Sequence, residues 1–209
     1  GYWVPEGGTV TKSKPTTRQV TLKLVKLAVV VYLTDELLAD TGMALEQYVN
    51  RKAGEEFNFL IGDSLINGTG VGKPLGMLNF PSLVSVAKRS GQQATTFLTE
   101  NVVDMFARFY AGNMDKLVWL HNQDMHPQLH TMTLGVGTGG TVTYLPPGGM
   151  SASPYATLMG RPMLPTEFNS TCGTQGDIIA ADMSQILSIT KGGVMQAVSP
   201  HIEFLTDQL

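Results

Sequence analysis

Hydrophobic residues follow two different periods in the first part of the chain, and each period predicts a different element. Over 17–25 apolar and polar residues alternate, with Val20, Leu22 and Leu24 on one face, as is typical of a half-exposed strand. The run Leu-Ala-Val-Val-Val at 27–31 is continuous, which predicts a strand covered on both faces. The stretch 2–31 therefore predicts a long two-stranded ribbon that turns among residues 7–15 and then enters a core. Because such a ribbon buries too little to be stable alone, we expect it to lie on another part of the chain or on a neighbouring copy.

A helical period replaces the alternation after residue 34. Thr34 predicts the cap of a short helix over 35–40, with acids at its positive end. The longest helix is predicted over 44–66, where apolar residues return every three or four positions. At a rise of about 1.5 Å per residue it would exceed about 30 Å, long enough to serve as a structural rod.

Shorter elements follow without a regular repeat. The patterns predict a helix over 100–112, a buried strand over 116–121, a helix opened by Pro127 and a hairpin over 131–145 that turns around 137–140. Further strands are predicted within 156–168, 177–189 and 194–204, and 146–149 predicts an extended loop. Because strands and helices mix without strand–helix–strand alternation, the predicted class is α+β.

A glycine-rich stretch, Asn-Gly-Thr-Gly-Val-Gly-Lys-Pro-Leu-Gly at 67–76, ends the long predicted helix. It superficially resembles a phosphate-binding loop, which needs Gly-x-x-x-x-Gly-Lys-Ser/Thr between a strand and a helix. Here Asn67 replaces the first glycine, Pro74 replaces the hydroxyl residue, and the loop follows a helix. The stretch instead favours a helix C-cap, with Gly68 or Gly70 in the left-handed conformation and Pro74 preventing the helix from resuming.

Charge changes the picture mainly at the N-terminal end. The 209 residues carry 14 Lys and Arg against 17 Asp and Glu, and the net charge of -3 argues against a general nucleic-acid binder. Five cations nevertheless fall between positions 12 and 26 with no acid among them: Lys12, Lys14, Arg18, Lys23 and Lys26. This basic arm is either a solvated charged face or a segment that docks on an acidic surface of a neighbouring copy. Nucleic-acid contact is a third reading, disfavoured because no aromatic residue is interleaved with the cations.

Candidate catalytic chemistry is sparse. His121, His126 and His130 form the only cluster of metal-ligand residues, but Pro127 places His126 outside the helix face and no glutamate separates it from His130. We expect surface or hydrogen-bonded histidines there and no metal site. Cys172, the single cysteine, cannot form an internal disulfide and predicts a small, at least half-buried thiol.

Several routine signals are missing from the sequence. No apolar run approaches the roughly 18 residues of a membrane span, and there is no signal peptide. The chain begins at Gly1 without methionine and ends at Leu209 directly after an apolar stretch, so we expect a fragment cut at both ends.

Three segments together resemble the major capsid proteins of tailed bacteriophages with the Hong Kong-type (HK97-like) fold. They are Val-Pro-Glu-Gly at 4–7, leading into the basic arm, Leu-Thr-Asp-Glu-Leu-Leu-Ala-Asp at 33–40, and the glycine-rich stretch with its flanks at 66–78. A weaker match follows in the expected order, with Gly-Arg-Pro-Met at 160–163, Gly-Asp-Ile at 176–178 and Ala-Asp-Met-Ser at 181–184. The resemblance covers nearly the whole chain.

The resemblance implies a role for each part of the chain. Residues 1–30 would be an extended loop lying over an adjacent subunit, and 31–114 a peripheral domain with a spine helix at 44–66. Residues 115–180 would form the axial domain, and 181–209 would return to the peripheral domain. Identical subunits would assemble into hexamers and pentamers that close into an icosahedral head around phage DNA. The resemblance implies no enzyme activity, cofactor, metal or membrane, and assembly in the cytoplasm of a bacterial host. The candidate inter-subunit contacts are Lys12, Lys14, Arg18, Lys23, Lys26 and Trp3.

Three alternatives remain open at this point. A cellular nanocompartment shell of the encapsulin type would share the fold and enclose enzymes instead of DNA. A hydrolase using the three histidines and a metal belongs to another class, and so does a monomeric binding module, which predicts no self-association at high concentration.

Overall fold

A mixed four-stranded sheet organises the second half of the chain. The computed structural model describes residues 3–10, 12–34, 36–37, 43–136, 139–142 and 157–197. The sheet contains β1 (Leu117–His121), β4 (Thr157–Leu158), β5 (Arg161–Pro165) and β6 (Ile178–Asp182), in the order β4-β5-β1-β6. Strand β1 runs parallel to β5 and antiparallel to β6, and β4 forms a short antiparallel pair with β5. The central strand is the one predicted over 116–121, so that prediction is confirmed.

Side chains of β1 alternate between two apolar layers. Leu117 and Trp119 point to one face, while Val118 and Leu120 point to the other. The first layer is covered by α2 (Thr99–Arg108) and α3 (His126–Thr131). Its buried members are Phe97, Val102, Leu117, Trp119, Met125, Leu129, Met132, Leu158, Met163 and Ile178. The half-buried Cys172 packs against this layer, as the sequence predicted.

The second layer is smaller and lies where the long helix meets the sheet. Helix α1 spans Met43–Asn67, within a residue of the predicted 44–66 at each end. Its buried residues, Ser64 and Ile66, lie at its C-terminal end. There Ile66 and Met77, from a short 3₁₀ turn at Met77–Asn79, pack against Leu120 and Ile179 of the sheet. The predicted stripe along the rest of the helix, from Leu45 to Leu60, is only half-buried. The rod therefore projects from the sheet unit.

The remaining connections follow local sequence signals. Strands β2 (Thr133–Val136) and β3 (Gly139–Val142) form the predicted antiparallel hairpin. Its turn at 137–138 and the loop predicted at 146–149 lie outside the described residues. Pro127 lies in the first turn of α3, where its missing N–H costs nothing. Three further 3₁₀ segments, Ala111–Lys116, Gln123–Met125 and Met183–Gln185, flank the sheet strands.

The N-terminal ribbon is not formed. Residues 3–10 and 12–34 contain no strand, and the turn observed there is closed by the Gly8 N–H donating to the Pro5 carbonyl at 2.9 Å. The segment 27–31, predicted to be a doubly covered strand, is largely exposed, with Val30 at 69%. That burial prediction is wrong for the single chain, because none of the elements that the structure describes covers this segment.

Two other terminal predictions have limited support. Of the short helix predicted over 35–40, the structure describes Glu36 and Leu37, which are helical. Of the strand predicted over 194–204, residues 194–197 are described and form no strand, and the rest lies outside the described residues.

Candidate subunit interface

The basic arm, which lies between residues 12 and 26, and the segments beside it at 3–10 and 27–34 have an unusual surface for a single chain. All five cations and Trp3 are exposed, and none of the ion pairs among the described residues involves these cations. Large apolar side chains are exposed on the same part of the chain, including Val20 at 61%, Leu24 at 53% and Val31 at 45%. Exposed apolar side chains that lie this close together along a chain are typical of sites of association in soluble proteins. The structure therefore brings the predicted contact residues together on one uncovered segment.

Helix α1 provides a second exposed surface, and its charge has the opposite sign. Its sequence contains the acids Glu46, Glu55, Glu56 and Asp63 against the bases Arg51 and Lys52. Lys52 Nζ lies 2.6 Å from Glu55 Oε2, and this hydrogen bond raises the pKa of Lys52 and lowers that of Glu55. Tyr48 and Phe59 are half exposed on the same helix, at 52% and 50%. The helix surface thus combines acidic and aromatic groups.

The glycine-rich stretch closes α1 as a compact hairpin. The Gly68 N–H donates to the Ser64 carbonyl at 3.0 Å, and the Gly76 N–H donates to the Gly68 carbonyl at 2.8 Å. A Cβ on Gly68 would run into the carbonyl oxygens of Pro74 and Ser64. Gly70 has φ +77, the left-handed conformation predicted for one of these glycines. The predicted cap is confirmed. Glycine is required at position 68 because the backbone carbonyls of Pro74 and Ser64 approach it closely, and not because of its dihedral angles.

Asn67 ties this cap to the sheet unit. Its side-chain amide donates to Asp63 Oδ1 and to the Phe168 carbonyl, both at 2.9 Å. The Asn79 amide donates to the Asn67 and Gly68 carbonyls at 3.3 and 2.9 Å. The Phe59 and Phe168 rings meet edge to face, with centroids 5.1 Å apart. The orientation of the projecting helix is therefore fixed by polar and aromatic contacts at one end.

An apolar groove of about 460 Å³ lies beside this junction. Leu65, Leu75, Phe80, Phe168 and Ile186 are among its lining residues, and none of the lining residues is charged. Sequence reasoning did not identify it, because its walls come from five separated segments whose apolar residues individually resemble ordinary core positions.

The three histidines do lie in a row. The His121 and His126 rings are 5.0 Å apart edge to face, and the His126 and His130 rings are stacked at 5.9 Å. His121 is completely buried, and neither of its ring nitrogens makes a hydrogen bond within the described chain. The expectation of a surface or hydrogen-bonded histidine is therefore wrong for His121. Across the described ranges, no three His, Cys, Asp or Glu side chains are placed to share a metal ion.

Burial shifts the pKa of the same group. Desolvation, helped by the neighbouring His126, lowers the pKa of His121 from its ordinary 6.5 to about 4. The Leu164 backbone opposes this shift slightly, without reaching hydrogen-bond geometry. Burial also lowers the pKa of His126 and raises that of the Cys172 thiol, so near neutral pH the His126 ring is neutral and the thiol keeps its proton.

No helix in the described part of the chain is both long and apolar enough to cross a membrane.

Comparisons with known proteins were made for the whole chain. A profile of the phage capsid family matches residues 1–209. A search of curated proteins finds no match. Among solved structures, the capsid of a native GTA particle, computed with C5 symmetry, is similar at 20% identity and a TM-score of 0.59, covering 75% of this chain and 55% of that one. The capsid of an empty GTA particle is similar at 21% identity and a TM-score of 0.65, covering 87% and 64%.

These similarities agree with the architecture. The chain spans less than two thirds of the length of both GTA capsid chains. At this level of identity the structural likeness establishes the fold, which is the HK97-like α+β fold that the sequence resembles. Because the profile matches over the full 209 residues, the chain belongs to the phage capsid family.

Proposed function

We propose that this chain is a structural subunit of a major capsid protein that assembles with identical copies into hexamers and pentamers. These would close into the icosahedral head of a phage and enclose its DNA. Family membership supports the proposal, and so does the fold shared with capsids of GTA particles. Closed shells require repeated contacts between different surfaces of identical chains, and this chain exposes two such surfaces.

The basic arm is the observation that carries the proposal. A monomeric protein has no reason to expose large apolar side chains together with five cations on one segment, because the apolar ones weaken solubility and the segment has no core of its own. In a shell, the same segment would be covered by a neighbouring subunit. The burial predicted for 27–31 would then be satisfied between chains instead of within one.

The receiving surface that fits the arm best is α1 of a neighbouring copy. The arm has five cations and no acid between residues 12 and 26, while α1 has more acids than bases. Complementary charge steers association and fixes its register more than it adds affinity. The contact residues on the arm would be Lys12, Lys14, Arg18, Lys23, Lys26 and Trp3.

The remaining parts take the roles expected for the family. Residues 1–30 would be the extended loop, 31–114 the peripheral domain with α1 as its spine, 115–180 the axial domain, and 181–209 the return to the peripheral domain. We expect no catalytic activity and no cofactor. DNA would be enclosed without sequence-specific binding, and assembly would occur in the cytoplasm of a bacterial host.

Electron microscopy combined with mass measurement tests the proposal. The chain, and a version that carries any residues the gene encodes beyond either end, would be expressed and concentrated in parallel. Hexamers, pentamers or closed icosahedral particles are the expected result. Strictly monomeric protein from both versions at high concentration would refute the shell and favour the monomeric binding module.

A further inference from the structure

We propose that His121 and His126 form an acid-sensitive latch that holds α3 against the sheet and releases it when the buried ring takes up a proton. The latch belongs to the unit of sheet, α2 and α3, so it operates whether or not the chain forms shells.

Geometry places His121 where a charge cannot be accommodated. The residue ends β1, the inner strand of the sheet, and is paired with Pro165 on one side and Ile178 on the other. Its backbone carbonyl accepts from the Thr166 N–H at 2.8 Å, so the backbone is held while the ring points into the first apolar layer. A neutral imidazole is tolerated there, whereas an imidazolium would be disfavoured, because the Leu164 backbone, which favours the charged form, is outweighed by the loss of water around the ring.

The ring contacts the start of α3 through a second titratable group. The His126 ring lies edge to face against His121 at 5.0 Å. Two neutral rings pack favourably in this arrangement, but two imidazolium rings at the same distance repel each other. Protonation would therefore convert an attractive contact between β1 and α3 into a repulsive one.

Among the described residues, no carboxylate forms an ion pair with His121 or contributes to the shift of its pKa. On β5, the titratable residue is Arg161, at the opposite end of the strand, where it donates to the Asp115 carbonyl at 2.9 Å. Beside β6, the Asp177 carboxylate is engaged by the N–H groups of Gly173 and Ile178 at 3.0 and 2.8 Å. Asp124 is exposed on the 3₁₀ turn before α3, where it lies on the solvent side. Of the charged groups on these elements, His126 is the one that acts on the His121 pKa, and it lowers it.

The direction of the pH effect follows from the pKa of His121, which is about 4 when folded against an ordinary 6.5. The folded pKa is depressed, so the stabilisation is fully present above pH 6.5 and is lost as the pH falls through 6.5 toward 4. This difference corresponds to a change of about 300-fold in the unfolding equilibrium constant.

Denaturant unfolding between pH 7.5 and 4 tests the latch, with the fluorescence of buried Trp119 as the signal. A Trp3→Phe background removes the second tryptophan, which is exposed. The comparison is between His121 and His121→Phe, an aromatic ring that cannot titrate. We expect the unfolding constant of the parent to rise about 150-fold more over this range than that of His121→Phe, which is half of the limiting value because half of the folded molecules carry the proton at pH 4. His130→Gln removes an exposed ring that stacks on His126 and not on His121, so its pH dependence should lie closer to that of the parent than to that of His121→Phe.

Equal pH dependence of the parent and His121→Phe would overturn the proposal. If His121→Phe does not fold, NMR titration of the histidine ring protons in the parent decides the matter. The latch predicts a His121 resonance that stays neutral down to about pH 5 and shifts only as α3 signals disappear. An ordinary titration near pH 6.5 with the fold intact would refute it. His126→Gln should raise the His121 pKa, because the neighbouring charge is removed.

Discussion

Trp119 shows how a single residue can combine core packing with a hydrogen bond that positions a neighbouring strand. Its side chain is completely buried in the first apolar layer, and its indole N–H donates to the Leu158 carbonyl at 3.1 Å. The residue therefore combines the largest buried volume in the sheet with a bond that holds β4 in place. Removing the ring and removing the bond are separable changes.

We expect Trp119→Ala to lower the free energy of unfolding by roughly 3–5 kcal/mol, because it leaves a cavity in the centre of the sheet. Trp119→Phe should cost about 1–3 kcal/mol, since the Leu158 carbonyl loses its donor. Trp3→Phe, at a fully exposed position, is the matched control and should change little. Chemical denaturation followed by circular dichroism measures all three. Similar costs for Trp119→Phe and Trp3→Phe would show that the indole bond contributes nothing.

A second prediction at the residue scale concerns Asn67, whose side-chain amide donates both of its hydrogen bonds. Asn67→Asp would place a carboxylate against Asp63 and the Phe168 carbonyl, which accept hydrogen bonds now. We expect a loss of about 1–3 kcal/mol in the free energy of unfolding at neutral pH. The loss should shrink at low pH, where a protonated acid can donate. A pH-independent cost would mean that the two acceptors are satisfied in another way.

At the scale of elements, the glycine cap of α1 separates two uses of glycine. Gly68 lies between carbonyl oxygens that leave no room for a methyl group, whereas Gly54, in the middle of α1, has open space around it. Gly68→Ala should destabilise the junction between helix and sheet, with the backbone forced to shift. Gly54→Ala should instead stabilise the chain by about 0.5–1 kcal/mol through helix propensity. Thermal unfolding of the two variants checks both signs, and a stabilising Gly68→Ala would contradict the observed cap.

The elements that could be predicted from the sequence are those whose formation depends on local sequence signals. Helix α1, strand β1, the start of α3 at Pro127 and the cap after Asn67 each depend on local periodicity, a breaker or a glycine, and the structure has all of them. The segment 27–31 has an equally clear pattern, yet it is exposed. Its pattern specifies burial without specifying which chain provides the covering surface.

The candidate subunit interface could likewise be predicted only in part. The five cations of the arm are visible as a run without acids, and the structure leaves them exposed as a group. The burial of His121 was not predictable, because a histidine at the end of a short apolar strand is equally consistent with a solvent-facing residue. The apolar groove was also missed, since it exists only once 62–66, 75–80 and 166–168 are folded together.

At the scale of the whole molecule, the arm and α1 form a pair of surfaces of opposite charge. We expect the combined reversal Lys12→Glu, Lys14→Glu and Arg18→Glu to weaken association between subunits, because complementary charges become like charges. Raising the salt concentration should weaken association of the parent and affect the reversed variant less. Analytical ultracentrifugation over a range of concentrations measures both effects.

Lys73→Glu is the matched control for this experiment, since Lys73 is exposed in the glycine cap and outside the arm. It changes the net charge in the same direction while leaving the arm intact. If the triple variant assembles as well as the parent, the arm has no role in association. Formation of shells by the parent would not change that conclusion.

The parallel pairing of β1 with β5 has a consequence for the time course of folding. Trp119 is in register with Met163, on the order of forty residues further along the chain. The entropic cost of closing this long loop must therefore be met before the strand pairing can stabilise the sheet. Helix α1 needs only local contacts and can form within about a microsecond, whereas the sheet is expected to form orders of magnitude more slowly. The slow step lies in a part of the chain that does not include the arm. A newly synthesised chain would therefore present its arm to other copies for the entire time that its own sheet takes to close, and the rate of that closure would set the concentration at which premature association begins.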